Sequence, residues 1–284
     1  MANLYEQTQD EIEPVDLQFA ADEIDAQLTH LTEFIRKRVD AADADGVEIA
    51  LSGGIDSTTT AHLAVEALGT ENVHGIILPK AVNEAENMSD AERVAQDLGI
   101  EYEQIGIDPI MDRLLELADA ESDNESEAQW EGRYVGNTSA RVRMTTTYLI
   151  ANRENRLVLG TGNRAELATG YVTKYGDGGV DCNPLGNLYK QQVRQLAAAL
   201  GVPEVIVQKT PTGGMVDYKS DEEELGFDYD TLDAVLAFYI DGNLPASVVA
   251  RLTETTVDGV EQVATMHEES SHKRPPPATP EPLF

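Results

Sequence analysis

Val47-Glu48-Ile49-Ala50-Leu51-Ser52-Gly53-Gly54-Ile55-Asp56-Ser57 is a largely apolar run that breaks at two adjacent glycines, and the residues from Ser57 to Leu68 then continue with a helix-like pattern. A strand that ends in a double glycine and feeds a helix has the outline of a phosphate loop. Gly53 and Gly54 carry no Cβ to hold an oxyanion off the backbone. Ser52 and Ser57 add hydroxyl donors, and the helix start offers unpaired N–H groups and its positive dipole end. Asp56 supplies a carboxylate beside the phosphates, where Mg²⁺ needs one. Gly, Ser and Asp are also ordinary turn residues, so a plain strand-to-helix turn is the competing reading of the glycines alone. No GxxxxGK[ST] occurs, which excludes a Walker A loop and its lysine geometry.

The flanking pattern predicts an α/β chain. Ile24, Leu28, Leu31, Ile35 and Val39 recur at helical spacing between residues 21 and 41. A strand at 47–51, a helix at about 57–68, a strand at 73–78, a helix at about 88–98 and a strand near 101–107 follow. This βαβαβ order predicts a parallel, doubly wound sheet of about five strands flanked by helices. Residues 119–132 are acid-rich and read as a solvated connection, a long helix is expected from about 137 to 153, and Arg156 to Gly160 reads as another buried strand. Residues 171–187 read as loop, 189–200 as helix and 207–226 as a mobile loop. Two or three short helices complete the chain to His267, before a Pro-rich extended tail. The expected organisation is one domain, with an acidic lead (1–20), a core (21–268) and a tail (269–284).

Gly160-Thr161-Gly162-Asn163-Arg164-Ala165 fits GxGxxA between strand and helix, with Asp181 about twenty residues on, the outline of a dinucleotide fingerprint. In a Rossmann unit that acid ends a second strand. Here the intervening residues hold Gly176, Gly178, Gly179, Pro184 and Gly186 and read as loop, so a second phosphate-side turn of the same nucleotide site is the preferred reading.

Charge adds a second signal. The 284 residues carry a formal net charge of −32, yet residues 133–194 hold nine Lys/Arg against four Asp/Glu. A basic island in an acidic chain points to an anionic ligand, and the acidic remainder to adaptation to high salt. The same field argues against nucleic-acid binding. No stretch approaches the roughly 18 to 20 apolar residues of a membrane span. The acidic N-terminus lacks the regions of a signal peptide, and a single cysteine, Cys182, excludes a disulfide framework; both suit a reducing cytoplasm.

The SGGxDS string resembles the pyrophosphatase loop of the N-type ATP pyrophosphatases, which cut ATP between the α and β phosphates to adenylate a substrate. Further segments narrow the likeness: Ala140-Arg141-Val142-Arg143-Met144, Gly160-Thr161 with Glu166, the run Thr169 to Asp181 containing Thr173-Lys174-Tyr175-Gly176-Asp177-Gly178-Gly179, Asn183-Pro184-Leu185, Leu188-Tyr189-Lys190, Pro211-Thr212 and His272-Lys273-Arg274. With these the chain resembles the ammonia-dependent NAD synthetases over nearly all of its length after residue 20. The resemblance implies an adenine nucleotide alpha hydrolase-like fold and ATP-dependent amidation of deamido-NAD to NAD⁺, releasing AMP and pyrophosphate, in a homodimer. It also implies roles. Ser52, Gly53, Gly54, Ile55, Asp56, Ser57, Thr161, Lys190 and Thr212 would contact ATP, and Asp56 and Glu166 would hold Mg²⁺. Arg141, Lys174, Asp181, His272 and Lys273 would contact deamido-NAD. Asp177 is the candidate for binding ammonium and taking its proton, and Lys190 the second candidate catalytic group. Glutamine-dependent members add a glutaminase domain for which this chain has no room, so free ammonia is the expected nitrogen source. Ile55 and Gly162-Asn163-Arg164 depart from many bacterial members; Arg164 is expected to add a cation close to the phosphates. Loops at about 80–88 and 207–226 are expected to order over substrates. Another ATP pyrophosphatase, a non-catalytic nucleotide sensor and a dehydrogenase are the alternatives.

Overall fold

The computed structural model describes residues 17–79, 89–118, 125–209 and 221–281, with 125–133 as backbone only. It opens with helix α1 (Ala21–Ala42), strand β1 (Gly46–Ala50), α2 (Ile55–Leu68), β2 (Val73–Ile77), α3 (Asp90–Leu98), β3 (Glu101–Gln104) and α4 (Asp108–Ala118). There follow α5 (Glu125–Arg153), β4 (Arg156–Leu159), α6 (Arg164–Thr169), α7 (Lys190–Ala199), α8 (Glu204–Val207) and α9 (Asp221–Leu225). The chain ends with α10 (Tyr229–Val235), a π-helical segment over Leu236–Asp241, α11 (Ala246–Leu252) and α12 (Val257–Glu269).

The strands are all parallel, in the order β3-β2-β1-β4. β1 and β2 are central and buried on both faces: Val47, Ile49, Val73 and Ile77 lie in one core and Ile76 in another, and even Glu48 and His74 are buried. Among the described residues the sheet has four strands, one fewer than the expected five. Beyond β4, the position of a fifth is taken by a single parallel bridge from Leu159 to Cys182, because the glycine- and proline-rich stretch there cannot extend it.

α1, α2, α3 and α7 cover one face of the sheet, where Leu31, Ile35, Ile49, Leu63, Val94 and Leu196 share a core. α5 covers the other face, with α4 packed against it over Ile76, Ile107, Met111, Val142 and Ile150. A third apolar cluster, around Tyr229, Leu232, Leu236, Val249 and Val260, joins α6 to the C-terminal helices. Three elements depart from expectation. α9 is a helix inside the expected loop at 207–226, of which 210–220 lies outside the described residues, as does the expected loop at about 80–88. α4 has no counterpart in the sequence reading, and α5 begins at Glu125, inside the expected connection. An acidic stretch such as Glu125 and Glu127 is favourable in the first turns of a helix, so acid content alone does not mark a loop.

The chain leaves β1 toward β2 and β3 on one side and returns to β4 on the other. The turns after β1 and β4 therefore lie side by side at the point where strand order reverses. In open parallel sheets that crevice, at the carboxyl ends of the strands, is where ligands bind.

Candidate active site

The turn after β1 is built by its glycines and serines. Gly53 sits at φ +74°, and a Cβ there would lie 2.8 Å from the Ala91 amide nitrogen, so only glycine lets the turn pass beneath α3. Ser52 and Ser57 hydroxyls lie 3.0 Å apart, Ser57 Oγ donates to the Gly54 carbonyl at 3.1 Å, and the Gly54 amide donates to Ser52 Oγ at 3.2 Å. Ser57 is thereby buried inside the turn, whereas Ser52 is exposed at its mouth. Ile55 is the first residue of α2 and points into the core.

Asp56 follows, and three groups converge on it. Lys190, at the start of α7 and 1% exposed, pairs with Asp56 Oδ2. Asn163, in the turn after β4, donates from Nδ2 to Asp56 Oδ1 at 3.1 Å. Glu166, one turn into α6, is close enough to repel it: burial and the Asp56 charge push the Glu166 carboxyl up to about 8. Burial alone would lower the Lys190 ammonium, but Asp56, Glu166 and Asp221 outweigh it and hold the lysine above its ordinary value. The Tyr229 ring lies 5.0 Å from Lys190 Nζ, and Tyr229 and Tyr171 hydroxyls both donate to Asp221, each at 3.2 Å. The turns after β1 and β4, the carboxylates of Asp56, Glu166 and Asp221 and one buried cation thus meet at the switch point. Thr161 lies half-buried in the turn after β4; Thr212 lies outside the described residues.

A second group of expected residues meets at the other side of the loop that follows α6. Arg141 Nε donates to the Lys174 carbonyl at 3.3 Å, Lys174 Nζ donates to the His272 carbonyl, and Lys273 Nζ donates to the carbonyls of Gly170 at 2.6 Å and Val172 at 2.8 Å. The tail is therefore folded back onto the loop that carries Lys174 and Asp177. That loop is compact: the Thr173 amide donates to Asp177 Oδ1 at 2.9 Å, and a Cβ on Gly176 would lie 2.9 Å from that of Ala140 on α5. Asp177 lies open on the loop surface, yet the surrounding protein displaces enough water to raise its carboxyl above the usual aspartate range, against the opposing pull of Thr173 and Lys273. Asp181 faces a different task in the free chain. Its carboxylate accepts from the Val158 amide at 2.8 Å and from the Tyr148 hydroxyl at 3.1 Å, closing the edge of β4.

Two expectations change. Arg164 turns to the C-terminal helices and pairs with Asp241 through Nε and Nη2, and Tyr189 donates to the same carboxylate. Its charge is spent there rather than beside the phosphates. The basic island is likewise mostly consumed: Arg153, Arg156, Lys190 and Arg194 pair with Glu103 and Glu154, Glu154, Asp56 and Asp230. Arg141 and Lys174 instead donate to backbone carbonyls. Cys182 is buried and its thiol is pushed up to about 11 by that burial, which leaves it inert as a nucleophile.

The donor set around Asp56 suits a hard dication. Asp56 and Glu166 meet there with Lys190 paired to Asp56, and burial first, then the Asp56 charge, raises the Glu166 carboxyl, so a cation between the two would be favoured. Among the described residues a different cluster, Glu48, His74 and Glu154, also brings metal-capable atoms within 4.8 Å. There His74 Nδ1 faces both Glu48 oxygens, at 3.0 and 2.9 Å, and arginines hold both oxygens of Glu154, so it is an ion-pair network.

The family model for NAD synthase matches residues 27–277 of this chain. The chain belongs to the NAD synthase family. Within that family, the NH(3)-dependent NAD(+) synthetase of Halobacterium salinarum is 50% identical over 272 residues, covering 95% of this chain and 98% of the relative. That of Thermococcus kodakarensis is 41% identical, covering 90% and 97%. Among solved structures, the NMN synthetase of Francisella tularensis matches with a TM-score of 0.77 at 32% identity, covering 93% of this chain and 99% of that one. The NH3-dependent NAD synthetase of Campylobacter jejuni matches with a TM-score of 0.72 at 28% identity, covering 91% and 99%. The site groups that sequence reasoning missed are Asn163, Asp221 and Tyr229. Only Asn163 left a local signal, as the first residue of an Asn-x-x-Glu capping pattern.

Proposed function

We propose that this chain makes NAD⁺ by ATP-dependent amidation of deamido-NAD with ammonia, releasing AMP and pyrophosphate. The observation that carries the reading is the meeting of the Ser52–Ser57 turn, Asp56, Glu166 and the buried Lys190 at the switch point of the sheet, in a chain that matches the family almost end to end. A carboxylate is a poor electrophile, and adenylation solves that problem. A nicotinate carboxylate oxygen bonds to the α-phosphorus of ATP as the bond from that phosphorus to the bridging oxygen breaks, and pyrophosphate leaves. Ammonia then adds to the carboxyl carbon, loses a proton, and AMP departs with the bond to its phosphate oxygen.

Each group has a task in that sequence. The Ser52 to Ser57 turn cradles the pyrophosphate end of ATP, together with Thr161 and Thr212. Lys190 offers a fixed charge to phosphate oxygens as negative charge develops there. Asp56 and Glu166 would hold Mg²⁺, which supplies charge stabilisation for the leaving pyrophosphate. Arg141, Lys174, His272 and Lys273 lie along one surface and would contact the dinucleotide, with Asp181 nearby in sequence. Asp177, a stronger base than an ordinary aspartate because of its surroundings, would bind ammonium and take its proton. The full-length match to relatives named for NH(3) supports free ammonia as the nitrogen source. A homodimer is supported by an apolar stripe on α4, where Ile110, Leu114 and Leu117 are exposed at helical spacing.

The test is a product assay in molar KCl with Mg-ATP, deamido-NAD and ammonium. NAD⁺ and AMP are expected in equal amounts, with ammonium but not with glutamine. Nicotinate mononucleotide serves as the parallel acceptor, because the Francisella neighbour is named for NMN. A folded sample that amidates only the mononucleotide would overturn the choice of substrate and leave the adenylation chemistry standing.

A further inference from the structure

We propose that Asn163 is a positioning residue that fixes Asp56 and Glu166 relative to one another. The inference deepens the reading of those two carboxylates as the Mg²⁺ site and rests on it. Asn163 is fully buried, and every polar atom of its side chain is spent on this pair of residues. Its Nδ2 donates to Asp56 Oδ1 at 3.1 Å, its Oδ1 accepts from the Glu166 amide at 3.0 Å, and its own amide donates to Glu166 Oε2 at 3.0 Å. One residue therefore grips the carboxylate of Asp56, on α2, and both the backbone and the carboxylate of Glu166, on α6. These helices follow different strands and are joined here across the switch point.

The chemistry requires a carboxamide. Two carboxylates in a water-poor crevice repel, and without a restraint Asp56 would rotate away. Lys190 restrains Oδ2 and Asn163 restrains Oδ1, so both oxygens of Asp56 are fixed from opposite sides. The orientation of the amide follows from its partners. Flipped, its NH₂ would face the Glu166 N–H and its oxygen would face a carboxylate, two repulsive contacts in place of two bonds. Aspartate would set a third carboxylate against Asp56. Serine is as good a helix cap but lacks the length to cap α6 and also reach Asp56. Asn163, one of the three residues by which this turn departs from many bacterial members, is thus a working part of the site.

Serine separates the two tasks of Asn163. Asn163→Ser keeps the cap and loses the bond to Asp56, whereas Asn163→Ala loses both. Mn²⁺ binding in the presence of ATP is read by electron paramagnetic resonance of free Mn²⁺ in molar KCl, with Asp56→Asn as the reference for a broken site and circular dichroism for folding. Wild-type protein is expected to bind Mn²⁺ more tightly than Asp56→Asn. Asn163→Ser and Asn163→Ala are both expected to weaken it about ten-fold or more. In steady state the half-saturating Mg²⁺ rises similarly, while the KM for deamido-NAD is unchanged. Serine that binds Mn²⁺ like wild type, with only alanine impaired, would reduce Asn163 to a helix cap and overturn the proposal. Wild type that binds no more tightly than Asp56→Asn would remove the metal site itself, and the positioning role with it.

Discussion

Two histidines show how strongly single side chains here are governed by what lies opposite them. Glu48 and His74 are register partners on the central strands β1 and β2, and both are buried. Their contact offsets desolvation: Glu48 raises the His74 imidazolium above its ordinary 6.5, while burial raises Glu48. His62, half-buried on α2, is lowered by the water it loses there. Histidine titrations followed by NMR should therefore move in opposite directions, with His74 above 6.5 and His62 below, and Glu48→Gln should bring His74 down. The sign for stability follows. A raised histidine contributes fully below its unfolded value near 6.5, and that contribution is lost as pH rises through its higher folded value. A His74 titration that ignores Glu48→Gln would show the pair to be uncoupled.

At the level of elements, the decisive piece is the turn between β1 and α2. Its backbone is determined by Gly53, whose positive φ and 2.8 Å approach to Ala91 leave no place for a side chain. Gly53→Ala is expected to cost about 1–3 kcal/mol from strained backbone alone, with more from the displacement of α3. Thermal unfolding in molar KCl measures the first effect. The second should appear as a KM for ATP raised more than that for deamido-NAD, since the turn and not the Lys174 loop is disturbed. Equal changes in both constants would mean that the turn serves packing and not ATP. The opposite end of the site is secured differently: the short helical turn Ser271–Lys273 docks on the loop after α6 through Lys273, which holds two of its carbonyls.

For the whole molecule the governing quantity is the charge of −32. Screening shrinks with dilution, as the Debye length grows from about 3 Å at 1 M salt to about 30 Å at 0.01 M. Surface pairs such as Lys37 with Glu33 and Arg113 with Glu116 are exposed and worth little, so they cannot offset that repulsion. Dilution from molar to millimolar KCl is expected to dissociate the proposed dimer or unfold the chain, read by light scattering and circular dichroism together. Leu117→Glu, on the exposed stripe of α4, should give monomer even in molar salt. Unchanged assembly and dichroism at low salt would remove the salt adaptation. A dimeric Leu117→Glu would place the interface elsewhere. Among the described residues no helix is long and apolar enough to cross a membrane.

Local features carried much of this fold. β-branched apolar residues around Glu48 and His74 mark β1 and β2, and the glycine turn, α2, α3 and α7 follow from spacing and caps set within a few residues. The acid-rich start of α5 and the whole of α4 escaped that reading, since composition does not separate a solvated helix from a connection. The site depends on partners far apart in the chain. Asn163 reaches Asp56 across 107 residues, Lys190 reaches it across 134, and Arg164 finds Asp241 across 77. Sequence determined which side chains could bind a phosphate or a cation. Tertiary structure decided which of them are already spent on one another, because a charge in a buried crevice takes the partner that packing brings within bonding distance, and no local pattern records that distance.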